Sequence, residues 1–201
     1  MDKREIAGET TAVREGHRLD ETALARYLAD HLPGFGEPLS VRQFEGGQSN
    51  PTYLLQTGGG DYVLRKKPPG QLLPSAHQVD REYRVMTALR DSGVPVPATY
   101  LMCADAGVIG TPFFVMACVG GRVFRQPHLP GVSSADRRAM YDDMVDVLAR
   151  LHGVDAAAVG LGDYGKPGNY YARQIARWGT QYVAAKTGEI PAMDRLMAWL
   201  P

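Results

Sequence analysis

Gln43-Phe44-Glu45-Gly46-Gly47-Gln48-Ser49-Asn50-Pro51-Thr52-Tyr53-Leu54-Leu55, followed by Tyr62-Val63-Leu64-Arg65-Lys66-Lys67 and then Val79-Asp80-Arg81-Glu82, is the stretch that decides the fold. Two apolar runs flank a glycine turn, a third run ends in cations, and a helical pattern carries a carboxylate. Successive backbone N–H groups of a glycine turn can face one anion, and the missing side chain lets a phosphate approach closely. Gly46 and Gly47 fit that role, with Ser49 and Asn50 as side-chain donors and Gln48 between them. Alone, two glycines between strands are more often a plain hairpin.

Arg65 strengthens the phosphate reading, because a third strand beside the turn would aim it where kinases place a phosphate-binding lysine. Arginine keeps its charge and offers a bidentate fork, but its geometry differs from that of lysine. Lys66 alternates to the opposite face, where solvation is the default expectation. Val79, Met86 and Leu89 share a helix face with Glu82. A carboxylate on that core-facing stripe needs a cation, and losing one partner of a buried pair costs on the order of 3–5 kcal/mol. Arg65 is the expected partner, either as a phosphate grip or as a purely structural ion pair.

Outward from this stretch, residues 1–19 read as a polar, flexible leader. Asp20 caps a helix with Leu24, Tyr27, Leu28 and Leu32 on its apolar face, stopped by Pro33-Gly34. Strands are expected over 39–44, 52–56 and up to Lys66, the last two joined at Gly58-Gly59-Gly60-Asp61. A helix starting near Ser75 runs to about Ser92, and two more strands, 98–104 and 112–119, follow the extended Gly93-Val94-Pro95-Val96-Pro97. The result is an α+β plan of five antiparallel strands with one helix inserted after the third.

Gly120-Gly121 marks a candidate boundary, separating a lobe over 20–119 from a helical part over 120–201. Ser133 and Asp136 have capping-box spacing before a helix with Met140, Met144, Val147, Leu148 and Leu151 on one face. Ile175, Trp178, Tyr182 and Ala185 mark another. The run Met116-Ala117-Cys118-Val119 ends the first lobe and would offer backbone groups at the edge of an apolar slot, although such a run is more often a core strand.

The chain has 201 residues, 44% apolar and 22% charged, enough for a sizeable core. Lys plus Arg equals Asp plus Glu at 22 each, so no net field recruits nucleic acid or an anionic membrane. Cys103 and Cys118 are the two cysteines, in separate apolar runs, which suits reduced thiols. The charged start Met1-Asp2-Lys3-Arg4-Glu5 gives no signal-peptide pattern, and a cytoplasmic protein is expected.

The segments Gly46-Gly47-Gln48-Ser49-Asn50-Pro51-Thr52-Tyr53, Tyr62 to Gly70 and Ser75-Ala76-His77-Gln78-Val79-Asp80-Arg81-Glu82-Tyr83-Arg84-Val85 closely resemble the aminoglycoside phosphotransferase-like family. Gly121-Arg122-Val123-Phe124, Leu151-His152-Gly153-Val154-Asp155 and the segment from Gly162 to Tyr171 continue the likeness, which runs from about residue 20 onward. The branch it is most similar to is found fused to acyl-CoA dehydrogenases. This resemblance implies a two-lobed protein-kinase-like fold that moves the γ-phosphoryl group of ATP to a small-molecule hydroxyl with Mg2+. It also implies that Gly46–Asn50 form the glycine loop, Arg65 the phosphate-contacting cation, Glu82 its partner and Met116–Val119 the hinge. A hydroxylated acyl compound is the implied acceptor.

One departure matters. The family's catalytic base and a metal ligand come from a His-Gly-Asp segment with an Asn five residues beyond the Asp. None of His17, His31, His77, His128 and His152 is followed two residues later by Asp. Asp163-Tyr164-Gly165 resembles a metal-binding tripeptide but has no catalytic loop before it, and His152 with Asp155 suits the end of a helix better than an acid/base dyad. The expected chemistry is therefore a nucleotide grip without base or magnesium ligands, which leaves two readings: part of a phosphotransferase, or a non-catalytic nucleotide- or partner-binding module. Apolar helix faces such as Trp178 and Tyr182 would then favour self-association.

Overall fold

The computed structural model describes residues 8–45, 50–68, 78–165 and 168–201. The expected glycine turn over Gly46, Gly47, Gln48 and Ser49 lies outside them, as does the expected helix start near Ser75.

Among the described residues, six antiparallel strands form one sheet: β1 (Thr10–Thr11), β2 (Ser40–Phe44), β3 (Thr52–Thr57), β4 (Gly60–Lys66), β5 (Thr99–Cys103) and β6 (Phe113–Ala117), in the order β1-β2-β3-β4-β6-β5. Five of them match the sequence expectation. The sixth, β1, lies in the stretch read as a leader; two residues carry no periodicity from which a strand can be inferred. It pairs Thr10 with Phe44 and Thr11 with Gln43, and the Arg42 guanidinium donates to the Thr10 hydroxyl at 2.9 Å and carbonyl at 2.8 Å.

The β3–β4 hairpin turns on Gly58 and Gly59, with Thr57 opposite Gly60. Any Cβ there would strike neighbouring backbone: at Gly58 it would sit 2.4 Å from the Glu37 carbonyl oxygen. Glycine is therefore demanded by close approach.

Helix α1 (Glu21–His31) starts where Asp20 accepts from the Ala23 N–H at 2.9 Å. Its buried Leu24 and Leu28, with Leu32 beyond its end, pack on a sheet face made by Tyr53, Leu55, Tyr62, Leu64, Phe113 and Val115. Alternation sends Val63 and Arg65 to the opposite face.

On the edge carrying β5 and β6 lies α2 (Val79–Ala88), shorter than expected from sequence. The Thr87 and Thr99 hydroxyls meet at 2.7 Å, Arg90 donates to the Thr99 carbonyl at 2.7 Å, and the Tyr83 ring meets Phe114 edge-on at 6.0 Å. Phe114 is the ladder partner of Arg65, so this packing brings Glu82 beside that strand.

Helix α3 (Ser134–His152) begins at Ser133, whose hydroxyl accepts from the Asp136 N–H at 3.1 Å and donates to its carboxylate at 2.8 Å. The expected apolar face is present in α3, but Met144, Leu148 and Leu151 are exposed. The chain divides between Asp155 and Ala156 into two compact units. The second contains α4 (Tyr170–Ala185) and α5 (Pro191–Trp199), where Lys186 pairs with Glu189 at 2.8 Å and Asp194 at 3.2 Å. Among the described residues, no helix is long and apolar enough to cross a membrane.

Candidate nucleotide site

β4 supplies the first group of the site. Arg65 Nε lies 3.0 Å from Glu82 Oε2, and Arg65 Nη2 donates to Glu82 Oε1 at 3.4 Å. The pair expected from sequence forms, but it is not deeply buried: the two side chains are 31% and 34% exposed. Its cation is therefore accessible while its direction is set by the carboxylate, which is what an anion-gripping group needs.

Asn50 completes the cluster. Its Nδ2 donates to Glu82 Oε1 at 2.6 Å, and the residue is buried. The sequence expectation for Asn50 is a donor toward phosphate, whereas the structure gives it Glu82 as a partner. No periodicity links residues thirty-two apart.

A slot of about 240 Å³ opens beside this cluster. Its walls are Phe44 of β2, Thr52 of β3, Val63 of β4, Pro97 before β5, and the run Met116, Ala117, Cys118 and Val119. All four expected hinge residues therefore line one cavity. Thr52 is the ladder partner of Arg65, and Val63 sits two residues before it on the same face, so the cation stands at the margin of the slot. The Ala117 N–H is already donated to the Ala98 carbonyl at 2.8 Å, which leaves the groups beyond Ala117 to meet a ligand. Burial, and then the Asp61 carboxylate, push the Cys118 thiol above its usual range.

Lys66 departs from expectation. Solvation is the default for its strand face, but that face is the one covered by α1, and the residue is 5% exposed, with its ammonium 5.8 Å from the centre of the Tyr53 ring. Burial holds its pKa below the usual lysine range. Lys66 thus belongs to the core side, whereas Arg65 faces the site.

Larger cavities exist elsewhere. One of about 800 Å³ between α4 and α5 is lined without any charged side chain, so it offers nothing to a phosphate. Among the described residues, no three His, Cys, Asp or Glu side chains gather as a metal site.

The chain as a whole has counterparts among known proteins. Residues 40–201 match the model of the phosphotransferase enzyme family (APH). Acyl-CoA dehydrogenase family member 11 of Rattus norvegicus is 48% identical over 200 residues, covering 98% of this chain and 26% of its own length. The Gallus gallus protein of the same name is 51% identical over 195 residues, covering 95% and 25%. The crystal structure of a "putative aminoglycoside phosphotransferase" from Ralstonia eutropha JMP134 superposes with a TM-score of 0.78 at 52% identity, covering 92% of this chain and 53% of that one. The chain thus spans about a quarter of the length of these curated relatives and about half of the solved structure. Its fold is the kinase-like fold of aminoglycoside phosphotransferases, with six strands, and the chain belongs to the phosphotransferase enzyme family.

Proposed function

We propose that this chain supplies the ATP grip of a phosphotransferase acting on a small-molecule hydroxyl. The observation that carries this reading is the register of β3 on β4: Thr52, a wall of the slot, is paired directly with Arg65. A base seated between Phe44, Val63 and the Met116–Val119 run would leave its phosphates beside a guanidinium that Glu82 orients. Gly46, Gly47, Gln48 and Ser49, the glycine turn expected from sequence, are proposed as further phosphate-binding residues.

ATP and magnesium are the cofactors this reading requires. The residues here fit the nucleotide, through an apolar slot and one oriented cation. When bound, magnesium would neutralise charge on the transferring phosphates. Since no histidine in the chain is followed two residues later by Asp, we assign these residues the gripping role and not that of base or metal ligand.

For the acceptor we propose a hydroxylated acyl compound, a choice supported by relatives named for acyl-CoA dehydrogenases. Calorimetry with ATP, with and without magnesium, tests the reading. Arg65→Ala should weaken binding at least about tenfold, as expected for losing a charged hydrogen-bond donor. Unchanged affinity in that variant would sink the proposal.

A further inference from the structure

Glu82 is held from two directions. Arg65 approaches Oε2 through Nε at 3.0 Å, while Asn50 Nδ2 reaches Oε1 at 2.6 Å, closer than the 3.4 Å contact from Arg65 Nη2 to the same oxygen. An ionised carboxylate only accepts, so the amide must present its nitrogen there. The bond is of the short, charge-assisted kind.

Burial separates the three side chains. Asn50 is 4% exposed, whereas Arg65 and Glu82 each keep about a third of their surface in water. Two long, solvated side chains gain little from pairing and have many rotamers available. The fixed member is the short one. Asn50 precedes Pro51, which restricts its backbone to extended conformations, and the Pro51 carbonyl accepts from the Lys66 N–H at 3.2 Å. Thr52 Oγ1 donates to the Asn50 carbonyl at 3.2 Å. The start of β3 is thereby tied to the end of β4, the strand that carries Arg65.

We propose that Asn50 is a positioning residue: by holding Glu82 Oε1 from the start of β3, it fixes the carboxylate that aims Arg65 at the nucleotide phosphates. Without the amide, Glu82 can turn toward solvent with α2, and Arg65 loses its direction while keeping its charge. This inference rests on the nucleotide-grip reading for its consequence, but the coupling of Asn50 to Arg65 is a property of the ligand-free chain.

The test uses the full chain, with ATP and AMP as probes. Asn50→Ala should weaken ATP binding about tenfold, the scale of a hydrogen bond to a charged group, and leave AMP affinity unchanged because the slot is intact. Added to Arg65→Ala it should cause no further loss, since residues in one network are non-additive. Asn50→Ser, which keeps a donor, should recover part of the affinity, and it serves as the informative variant if the alanine does not fold. In the ligand-free protein, the Arg65 Nε–H resonance should be sharp in the parent and broadened in Asn50→Ala. An unaltered resonance, an equal fall for ATP and AMP, or full additivity with Arg65→Ala would each overturn the proposal. If the parent binds ATP no better than AMP, the nucleotide-grip reading fails, and the resonance still decides whether Asn50 positions Arg65.

Discussion

Arg65 and Glu82 meet at 3.0 Å, yet each keeps about a third of its side chain in water. Solvent screening of such a pair leaves it little to contribute to folding, so its value lies in where it points the guanidinium. Glu82→Gln, which retains an acceptor for Asn50, should change unfolding free energy by less than about 1 kcal/mol. ATP affinity should nevertheless fall severalfold. Urea melts beside calorimetry separate the two effects; a large stability loss with intact binding would make the pair purely structural.

Lys66 should give the protein an alkaline rise in stability. Burial lowers its folded pKa below the ordinary 10.5, so between those values the unfolded chain binds more protons. Stability therefore increases as pH climbs toward 10.5. Above about pH 10 the opposite trend sets in, because burial raises the Tyr53 hydroxyl and pushes that of Tyr27 up to about 12. Lys66→Met should remove most of the rise. Denaturant melts at several pH values check this, and an unchanged slope in the variant would exclude Lys66 as its source.

The difference between Arg65 and Lys66 shows how far sequence carries. Alternation along Tyr62-Val63-Leu64-Arg65-Lys66 told the two faces apart, and the helical pattern at Val79, Glu82 and Met86 placed a carboxylate for Arg65. Which face was wet could not be read from it: α1, more than thirty residues upstream, covers the Lys66 side. Asn50 binding Glu82 was equally hidden, since it depends on the angle at which α2 lies on β5 and β6. That Met116, Ala117, Cys118 and Val119 would line one cavity was legible because an apolar run broken by Gly120-Gly121 is a local signal.

Cys118 should react slowly with alkylating reagents. Its thiol is raised above the ordinary 9.0 by burial and by Asp61, so little thiolate exists near neutrality. Because it lines the slot, ATP should slow its labelling further. Mass spectrometry of timed maleimide labelling checks both; equal rates with and without ATP would place the base elsewhere.

The α4–α5 unit should take up an apolar dye. Trp178 is 60% and Val183 63% exposed, and both line the cavity of about 800 Å³. Anilinonaphthalene sulfonate fluorescence should rise with the parent and fall with Val183→Glu. The Arg65→Ala variant should leave that signal unchanged, which would keep the dye site apart from the phosphate site.

β1 has a consequence beyond its two residues. A sheet edge with unpaired N–H and C=O groups is a template for another chain, and β2 would present such an edge if β1 were gone. Thr10, held by Arg42, and Thr11 lie along that edge like a selvedge on a weave. Trimming the chain to begin after Thr11 should therefore favour growth by strand addition at β2, read as a rise in particle size by light scattering.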